Sequence, residues 1–171
     1  MVPPPDDDVS RPPLSEREFH EFYARVPRLT VEVVVRGPDG ILLTERRTGP
    51  CAGLWHIPGG TVRFGEPLVA AVRRVAADEL GVVPRVGPFL GYIEYPSHYR
   101  NGLDSPVGLA FLCELDEVHR HGADARGVWC TGPPGPMHEE QVDFLRGHGL
   151  LSPSPGPEPE PELEPEPGSD P

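Results

Sequence analysis

A glycine pair followed by spaced charged residues is the part of this sequence that could do chemistry. These residues are Gly59, Gly60, Glu66, Arg74, Asp78 and Glu79. Asp78 and Glu79 lie near the end of a predicted helix, where they can offer two oxygen ligands. Magnesium prefers oxygen and usually takes one or two carboxylates together with substrate phosphates. The spacing therefore predicts a metal site for a phosphorylated substrate, with Asp78 and Glu79 as ligands.

Two arginines near this segment could bind the phosphates. Arg46 follows a predicted strand, and Arg74 lies in the same predicted helix as Glu79. A guanidinium group donates bidentate hydrogen bonds to phosphate or carboxylate. The alternative from the residues alone is an ordinary amphipathic helix, in which Arg74 and Glu79 are solvated surface charges.

The elements that must position these residues follow from local patterns. Ser15 and Glu18 have capping-box spacing and predict an opening helix that Pro27 ends. A second helix is predicted from Pro67 to Leu80, with Gly81 at its end. Strands are predicted at 29–36, 41–46, 61–64, 86–95, 107–115 and 127–130, and a last helix at 139–146. Because hairpins mix with helices, we predict an α+β fold, an α/β/α sandwich with a mixed β-sheet between helices.

The segment from Gly60 to Val82 resembles the Nudix box, G-x5-E-x7-R-E-U-x-E-E-x-G-U, where U is aliphatic. It reads Gly60-x5-Glu66-x7-Arg74-Val75-Ala76-Ala77-Asp78-Glu79-Leu80-Gly81-Val82. The resemblance runs from about Leu14 to Leu150 and implies the Nudix fold and a hydrolase. It departs at Val75, where the family has a glutamate that is usually a metal ligand.

Val75 has two interpretations. The chain is either an inactive or weak Nudix protein retained as a binder, or a member of the subgroup resembling GDP-mannose mannosyl hydrolases. In that subgroup an aliphatic residue replaces the same glutamate. We favour the subgroup because its opening helix is followed at once by the first strand, as here. The segments 42–47 and 53–60 also resemble it.

The subgroup resemblance implies a set of site residues. Magnesium, with Mn²⁺ as an alternative ion, would be held by Glu79, by the Gly59 carbonyl and by the substrate diphosphate. Arg46 would clamp the diphosphate. Glu32, on the first strand, would lie near the sugar.

The resemblance also implies a reaction in which water attacks the anomeric carbon of the sugar, with a histidine as general base. Histidine suits this role because its pKa lies near neutrality. The late Gln-His pair of the subgroup is missing here. The replacements we predict are Asp124, which lies closest to the expected position by its distance from Trp129, and His121, which would need a shifted loop.

The composition of the chain limits the classes of partner that it is expected to bind. The net charge is -12, and the segment 152–171 carries six acidic residues and no basic one. The sequence has no basic stripe of the kind that would predict nucleic-acid binding. It also has no apolar run of membrane-spanning length. The first residues lack a signal-peptide pattern, so we expect a cytoplasmic location.

We expect three regions: a disordered arm at 1–13, a hydrolase domain at 14–151 and a disordered Pro/Glu-rich tail at 152–171. The opening helix is expected to mediate a homodimer, as in the resembling subgroup. The predicted function is metal-dependent hydrolysis of a nucleoside diphosphate linked to another group. The substrate class we expect is a nucleotide sugar. The alternatives are a silent domain that senses a nucleotide ligand and an interaction module that uses the acidic tail.

Overall fold

The computed structural model describes residues 14–49, 51–123 and 126–152, which contain five helices and seven strands. The helices are α1 (Glu16–Tyr23), α2 (Leu68–Leu80), α3 (Pro96–Arg100), α4 (Glu117–Ala123) and α5 (Glu139–Gly147). The strands are β1 (Arg28–Gly37), β2 (Gly40–Glu45), β3 (Trp55–His56), β4 (Gly59–Thr61), β5 (Arg85–Glu94), β6 (Pro106–Glu114) and β7 (Val128–Cys130).

β1 lies at the centre of a mixed sheet with the order β3-β2-β1-β6-β5. It runs parallel to β6 and antiparallel to β2 and β4, while β7 pairs with β2. The six consecutive residues from Thr30 to Val35 are all buried. A strand that is covered on both faces needs such a continuous buried run, which explains why the valine-rich segment occupies the middle of the sheet.

Helices cover both faces of this sheet. Val33 and Val35 join one apolar cluster with residues of α2, whereas Val34 joins a second cluster with Leu145 of α5. Successive side chains of a strand point to opposite faces, so one run of valines contributes to both cores. The predicted α+β architecture, an α/β/α sandwich around a mixed sheet, is confirmed.

α2 has the predicted bounds within one residue. Pro67 is its N-cap in an extended conformation, and Gly81 ends it with a φ of 72°. This left-handed conformation is accessible to glycine without a steric penalty, which is why the helix stops there. Ala71, Val72 and Leu80 are among the buried residues that fix the helix on the sheet.

Two short helices and two strands differ from the sequence prediction, and one of the strands, β3, was not predicted at all. The strand expected at 61–64 is β4 at Gly59–Thr61, so the glycine pair is part of the sheet. Helices α3 and α4 were not predicted, because five to seven residues give too little periodicity to separate a helix from a loop.

The predicted arm at 1–13 and all of the predicted tail except Ser152 lie outside the described residues, as does Asp124. Among the helices that the structure describes, none is both long and apolar enough to cross a membrane.

Candidate active site

The glycine pair of β4 meets the carboxylate near the end of α2. The Gly59 N–H donates a hydrogen bond to Glu79 Oε1 at 3.2 Å. Burial raises the pKa of Glu79 to about 7, although the Gly59 hydrogen bond, the nearby Arg46 charge and the Thr44 hydroxyl oppose the rise. A cation beside this carboxylate would favour its charged form. This half-buried carboxyl group thus lies against the glycine pair Gly59–Gly60, hereafter the bend.

Val75 is part of the core and not of the site surface. Its side chain is 2% exposed and packs in the apolar cluster under α2. Its Cγ2 atom lies 2.8 Å from the place that a Cβ on Gly60 would occupy. Residue 60 must therefore be a glycine, and α2 sits tightly against the bend through an apolar contact.

Arg74 is engaged in a contact that the sequence did not predict. Its Nε and Nη2 donate to the two carboxylate oxygens of Glu66 at 2.7 and 2.9 Å, and Nη2 also donates to the Thr61 carbonyl at 2.9 Å. We expected Arg74 to bind substrate, but these donors already hold the loop 62–67 against α2. The structure corrects its role to positioning.

Asp78 does not accompany Glu79 to the bend. Its side chain is 62% exposed and lies 3.7 Å from Arg74 Nη1. Adjacent helix residues point about 100° apart, so two neighbouring carboxylates do not share one face. The predicted pair of metal ligands is therefore corrected to Glu79 alone at the bend.

A cavity opens beside Gly59 and Gly60. Arg46, just after the end of β2, belongs to its lining. The Arg46 side chain is exposed to solvent, and its charge lies close enough to Glu79 to lower the pKa of that carboxyl group. The cavity thus brings the exposed Arg46 guanidinium group near the Glu79 carboxyl group.

Glu32 forms part of the cavity wall from β1. It is 5% exposed, and Thr30 Oγ1 donates to its Oε1 at 3.1 Å. Burial raises the pKa of Glu32 to about 8, and hydrogen bonds from Tyr95 and Thr30 oppose the rise. A Cβ on either Gly59 or Gly108 would lie 2.5 Å from a Glu32 carboxylate oxygen, so both glycines make room for this side chain.

Gln141 connects this wall to α5. The Ile57 N–H donates to Gln141 Oε1 at 3.0 Å, and Gln141 Nε2 donates to the Tyr95 hydroxyl at 2.9 Å. Tyr95 in turn hydrogen-bonds to Glu32. This series of buried hydrogen bonds fixes the Glu32 carboxyl group from α5, which lies on the other face of the sheet from α2.

Three histidines line the cavity: His56, His98 and His138. His56 is 8% exposed, and its Nδ1 lies 2.9 Å from the Ile57 carbonyl oxygen, which can only accept. Its Nε2 is then the unprotonated nitrogen of the neutral ring and lies 3.3 Å from Thr44 Oγ1. Burial lowers the pKa of His56 to about 4, which keeps this ring neutral.

His98 is held by a carboxylate. Its Nδ1 lies 3.1 Å from Asp104 Oδ1, and Arg28 Nε donates to the other oxygen of Asp104. Burial raises the pKa of Asp104, but the hydrogen bonds from His98 and Arg28 outweigh it and lower the value to about 2. Asp104 is therefore ionised and can only accept, so Nδ1 of His98 carries the proton.

His121, one of the two residues predicted as general base, is not among the described residues that line the cavity. His121 is exposed on α4, and its Nδ1 lies 2.8 Å from the Glu117 carbonyl of the same helix. α4 packs through Ala123 against the α2 side of the sheet. The prediction for His121 is therefore wrong in position, and Asp124 lies outside the described residues.

Sequence reasoning missed His98, His138 and Gln141 as members of this cavity. They lie 38 or more positions after Gly60 along the chain, and no motif spacing links them to the glycine pair. A weak signal was present at His138, since it precedes the acidic first turn of α5 at Glu139 and Glu140.

Comparison with known proteins identifies the family of this chain. The sequence model of the NUDIX domain family matches residues 26–135, more than half of the chain. The low-salt glycan biosynthesis protein Agl8 of Haloferax volcanii is 37% identical over 108 residues, which cover 61% of this chain and 69% of Agl8. The ADP-ribose pyrophosphatase of Methanocaldococcus jannaschii is 33% identical over 89 residues, 52% of each protein. This chain thus spans about half the length of that second relative.

Solved structures share the fold. A MutT Nudix hydrolase from Burkholderia pseudomallei aligns with a TM-score of 0.57 at 24% identity, covering 71% of this chain and 97% of the other. NrtR from Shewanella oneidensis aligns with a TM-score of 0.55 at 21% identity, covering 70% and 60%. The matched family domain, residues 26–135, contains both the box and the bend. This chain belongs to the Nudix hydrolase superfamily.

Proposed function

We propose that this chain hydrolyses a nucleoside diphosphate joined to a sugar, with a divalent cation held at Glu79. One observation carries the proposal. The Glu79 carboxylate meets the Gly59 backbone at the edge of a cavity that also contains Arg46. This arrangement supports a joint site for a cation and a diphosphate.

Glu79 and the Gly59 carbonyl would hold Mg²⁺, with Mn²⁺ as an alternative ion. The residues fit such an ion, because a half-buried carboxylate whose pKa burial has raised gains its charged form beside a cation. Carboxylate and carbonyl oxygens are also the donors that hard cations prefer. When bound, the ion supplies charge stabilisation for the departing diphosphate.

The protein's own side chains would bind and orient the two parts of the substrate. The Arg46 guanidinium lies at the cavity with its head exposed to solvent, where it can donate to a diphosphate. Glu32 has a pKa of about 8, so near neutral pH its carboxyl group is mostly protonated and can both donate and accept. Such a group suits sugar hydroxyls.

The names of the relatives support a substrate that contains a sugar. Agl8 is described as a glycan biosynthesis protein, and the other relative as an ADP-ribose pyrophosphatase. ADP-ribose is itself a nucleoside diphosphate joined to a sugar. A nucleotide sugar is therefore the first substrate class to test.

Hydrolysis of a panel of nucleotide sugars, measured with and without Mg²⁺, tests the proposal. Glu79→Gln should lower kcat/KM by at least about 100-fold, since it removes the charged metal ligand at the bend. Glu114→Gln is the matched control, because Glu114 pairs with Arg85 on the surface and does not line the cavity. Asp78→Asn tests the second predicted ligand and should have a much smaller effect.

Metal-independent turnover, or equal loss of activity in the Glu79 and Glu114 variants, would refute the cation site. Turnover of free nucleotides with no turnover of nucleotide sugars would support a hydrolase but exclude nucleotide sugars as its substrates.

A silent ligand-binding domain is the second candidate, and the replacement of the box glutamate by Val75 favours it. Calorimetry separates the two candidates. Tight binding of a nucleotide sugar in the presence of Mg²⁺, without any product after long incubation, would support a sensor.

The bond that breaks is a separate question, which hydrolysis in oxygen-18 water answers. Label in the sugar means attack at carbon, and label in the phosphate means attack at phosphorus. The subgroup resemblance favours attack at carbon, with the label found in the sugar.

A further inference from the structure

Three potential metal ligands from distant parts of the chain converge at the rim of the cavity. One ligand atom from each of Cys51, His98 and His138 lies within 4.8 Å of the other two. Cys51 belongs to the loop between β2 and β3, His98 to α3, and His138 is the residue before α5. None of the three side chains is fully exposed.

The donor set is that of a transition metal. A thiolate and two imidazoles suit zinc, whereas Mg²⁺ prefers oxygen. Ligand atoms around a tetrahedral zinc lie about 3.5 Å apart, given bonds of about 2.0 to 2.3 Å. The three donors lie within 4.8 Å of one another, so a bound metal would hold them at or below their present separations.

His98 has the support that a metal ligand needs. Its Nδ1 proton is held by the ionised Asp104, which leaves the Nε2 lone pair for a metal. Arg28 holds Asp104 from the other side and also donates from Nη1 to Thr61 Oγ1 at 3.1 Å. Such carboxylate-histidine pairs orient the ring and strengthen the ligand in metal sites.

The backbone frame ties the three segments together. The Trp55 N–H, four residues after Cys51, donates to the Pro136 carbonyl at 2.8 Å, close to His138. Ser97, beside His98, donates from its N–H and its hydroxyl to the two oxygens of Glu140 at 2.7 and 3.0 Å. The three ligands are thus held on connected segments before any metal arrives.

From this convergence we propose that Cys51, His98 and His138 bind one zinc-type transition metal ion, in a site separate from the Glu79 bend. Three protein ligands leave a fourth coordination position open. His98 and His138 both line the cavity, so a ligand in the cavity can reach that position through a phosphate or hydroxyl oxygen.

Cobalt provides a spectroscopic test that does not need enzyme activity. In excess Mg²⁺, which would occupy the Glu79 bend, wild-type protein otherwise free of metal should bind one equivalent of Co²⁺ and develop a thiolate-to-cobalt charge-transfer band, which excess Zn²⁺ removes. Cys51→Ser should lose the band. The matched control is Cys130→Ser, because Cys130 is another partly buried free cysteine and lies outside the cluster.

Histidine variants test the other ligands. His98→Asn and His138→Asn should each weaken Co²⁺ binding, and Asp104→Asn should weaken it by about 10- to 100-fold through the loss of ring orientation. His20→Asn, at an exposed position on α1, should leave it unchanged. Circular dichroism would verify that each variant is folded.

A band that survives in Cys51→Ser, or the absence of one-to-one Co²⁺ binding in wild type, would overturn the proposal. Glu79→Gln should keep the cobalt spectrum. The transition-metal site and the hydrolase proposal can therefore fail independently, because one is read by absorbance and the other by product formation.

Discussion

At the scale of single residues, Val75 shows how a position in a catalytic motif can serve the core. Its side chain is 2% exposed and contacts the glycine bend from inside the apolar cluster. An aliphatic residue here supports the packing of α2 on β4. The replacement therefore belongs to the structure of the site and does not indicate a decayed motif by itself.

We predict that restoring the family's glutamate will harm this protein. Val75→Glu would bury an unpaired carboxylate among apolar side chains and should lower the free energy of unfolding by at least about 3 kcal/mol. Val75→Ala, which only removes volume, should cost less, about 2 kcal/mol. Urea unfolding measures both. A stable Val75→Glu protein with tighter Mg²⁺ binding would contradict this assignment of residue 75 to the core.

His56 gives the stability of the protein a predictable dependence on pH. Burial, together with the nearby charges of Arg46 and His138, lowers the pKa of His56 from 6.5 to about 4. The unfolded chain therefore binds a proton that the folded protein excludes. The contribution of neutral His56 to stability is fully present above about pH 6.5 and is lost as the pH falls toward 4.

His56→Gln removes this titration and serves as the reference for the wild type. Between about pH 7.5 and pH 5, the wild type should lose roughly 2 kcal/mol more stability than the variant. Denaturant titrations at several pH values measure the difference. Parallel stability curves for the two proteins would show that His56 does not titrate in this way.

At the scale of elements, the loop 62–67 and α2 act as one unit through the contact of Arg74 with Glu66. The two side chains are 21% and 12% exposed, so their bidentate contact is partly shielded from water. Arg74 also satisfies the Thr61 carbonyl, which links the end of β4 to the helix. This contact holds the loop 62–67 and the end of β4 beside the helix that carries Glu79.

Arg74→Lys should lower the free energy of unfolding by about 1 to 3 kcal/mol, because lysine cannot replace the forked hydrogen bonds. Arg73→Lys, at the adjacent exposed position, is the control and should change stability little. Hydrogen exchange should also become faster in the loop 62–67. Equal stability of the two variants would argue that the contact is only a surface pair.

The same contact has an acid dependence. The Arg74 hydrogen bond lowers the pKa of Glu66 below 4.5, although burial opposes the shift. The contribution of this pair to stability is therefore present above 4.5 and is lost as the pH falls through the lowered value. Glu66→Gln should differ most from the wild type at neutral pH, and the difference should narrow in acid.

At the scale of the whole molecule, α1 leaves apolar side chains exposed to solvent. It contains no buried residue, and Phe22 is 54% exposed. Leu14 and Val26, on either side of the helix, are also exposed. An amphipathic helix that leaves its apolar residues in water is a candidate for self-association.

We predict a homodimer through α1. Phe22→Glu should shift the protein to a monomer in analytical ultracentrifugation at micromolar concentration, because a charge replaces an apolar contact. Val118→Glu, at an 81% exposed position on α4, should leave the association state unchanged. A wild-type monomer over the same concentration range would refute the prediction.

The sequence by itself determined the main elements and the motif residues. β1, β2, α2, β5, β6, β7 and α5 lie within one or two residues of their predicted bounds, and the capping box of Ser15 with Glu18 is confirmed. These elements carry their signals locally, as β-branched runs, helical periodicity, a proline before a helix or a glycine after one. The resemblance to the Nudix box placed Glu79 and the glycine pair in one site for the same reason, since its spacing is local.

Only the tertiary structure decided which charged residues face the cavity. Asp78 and Glu79 are adjacent in sequence, yet one is exposed beside Arg74 and the other reaches Gly59. His98 and His138 meet across 40 residues of chain, whereas His121, the histidine chosen from the sequence, faces outward. Long-range neighbours are set by how the sheet and helices pack, and no spacing rule in a single sequence carries that information.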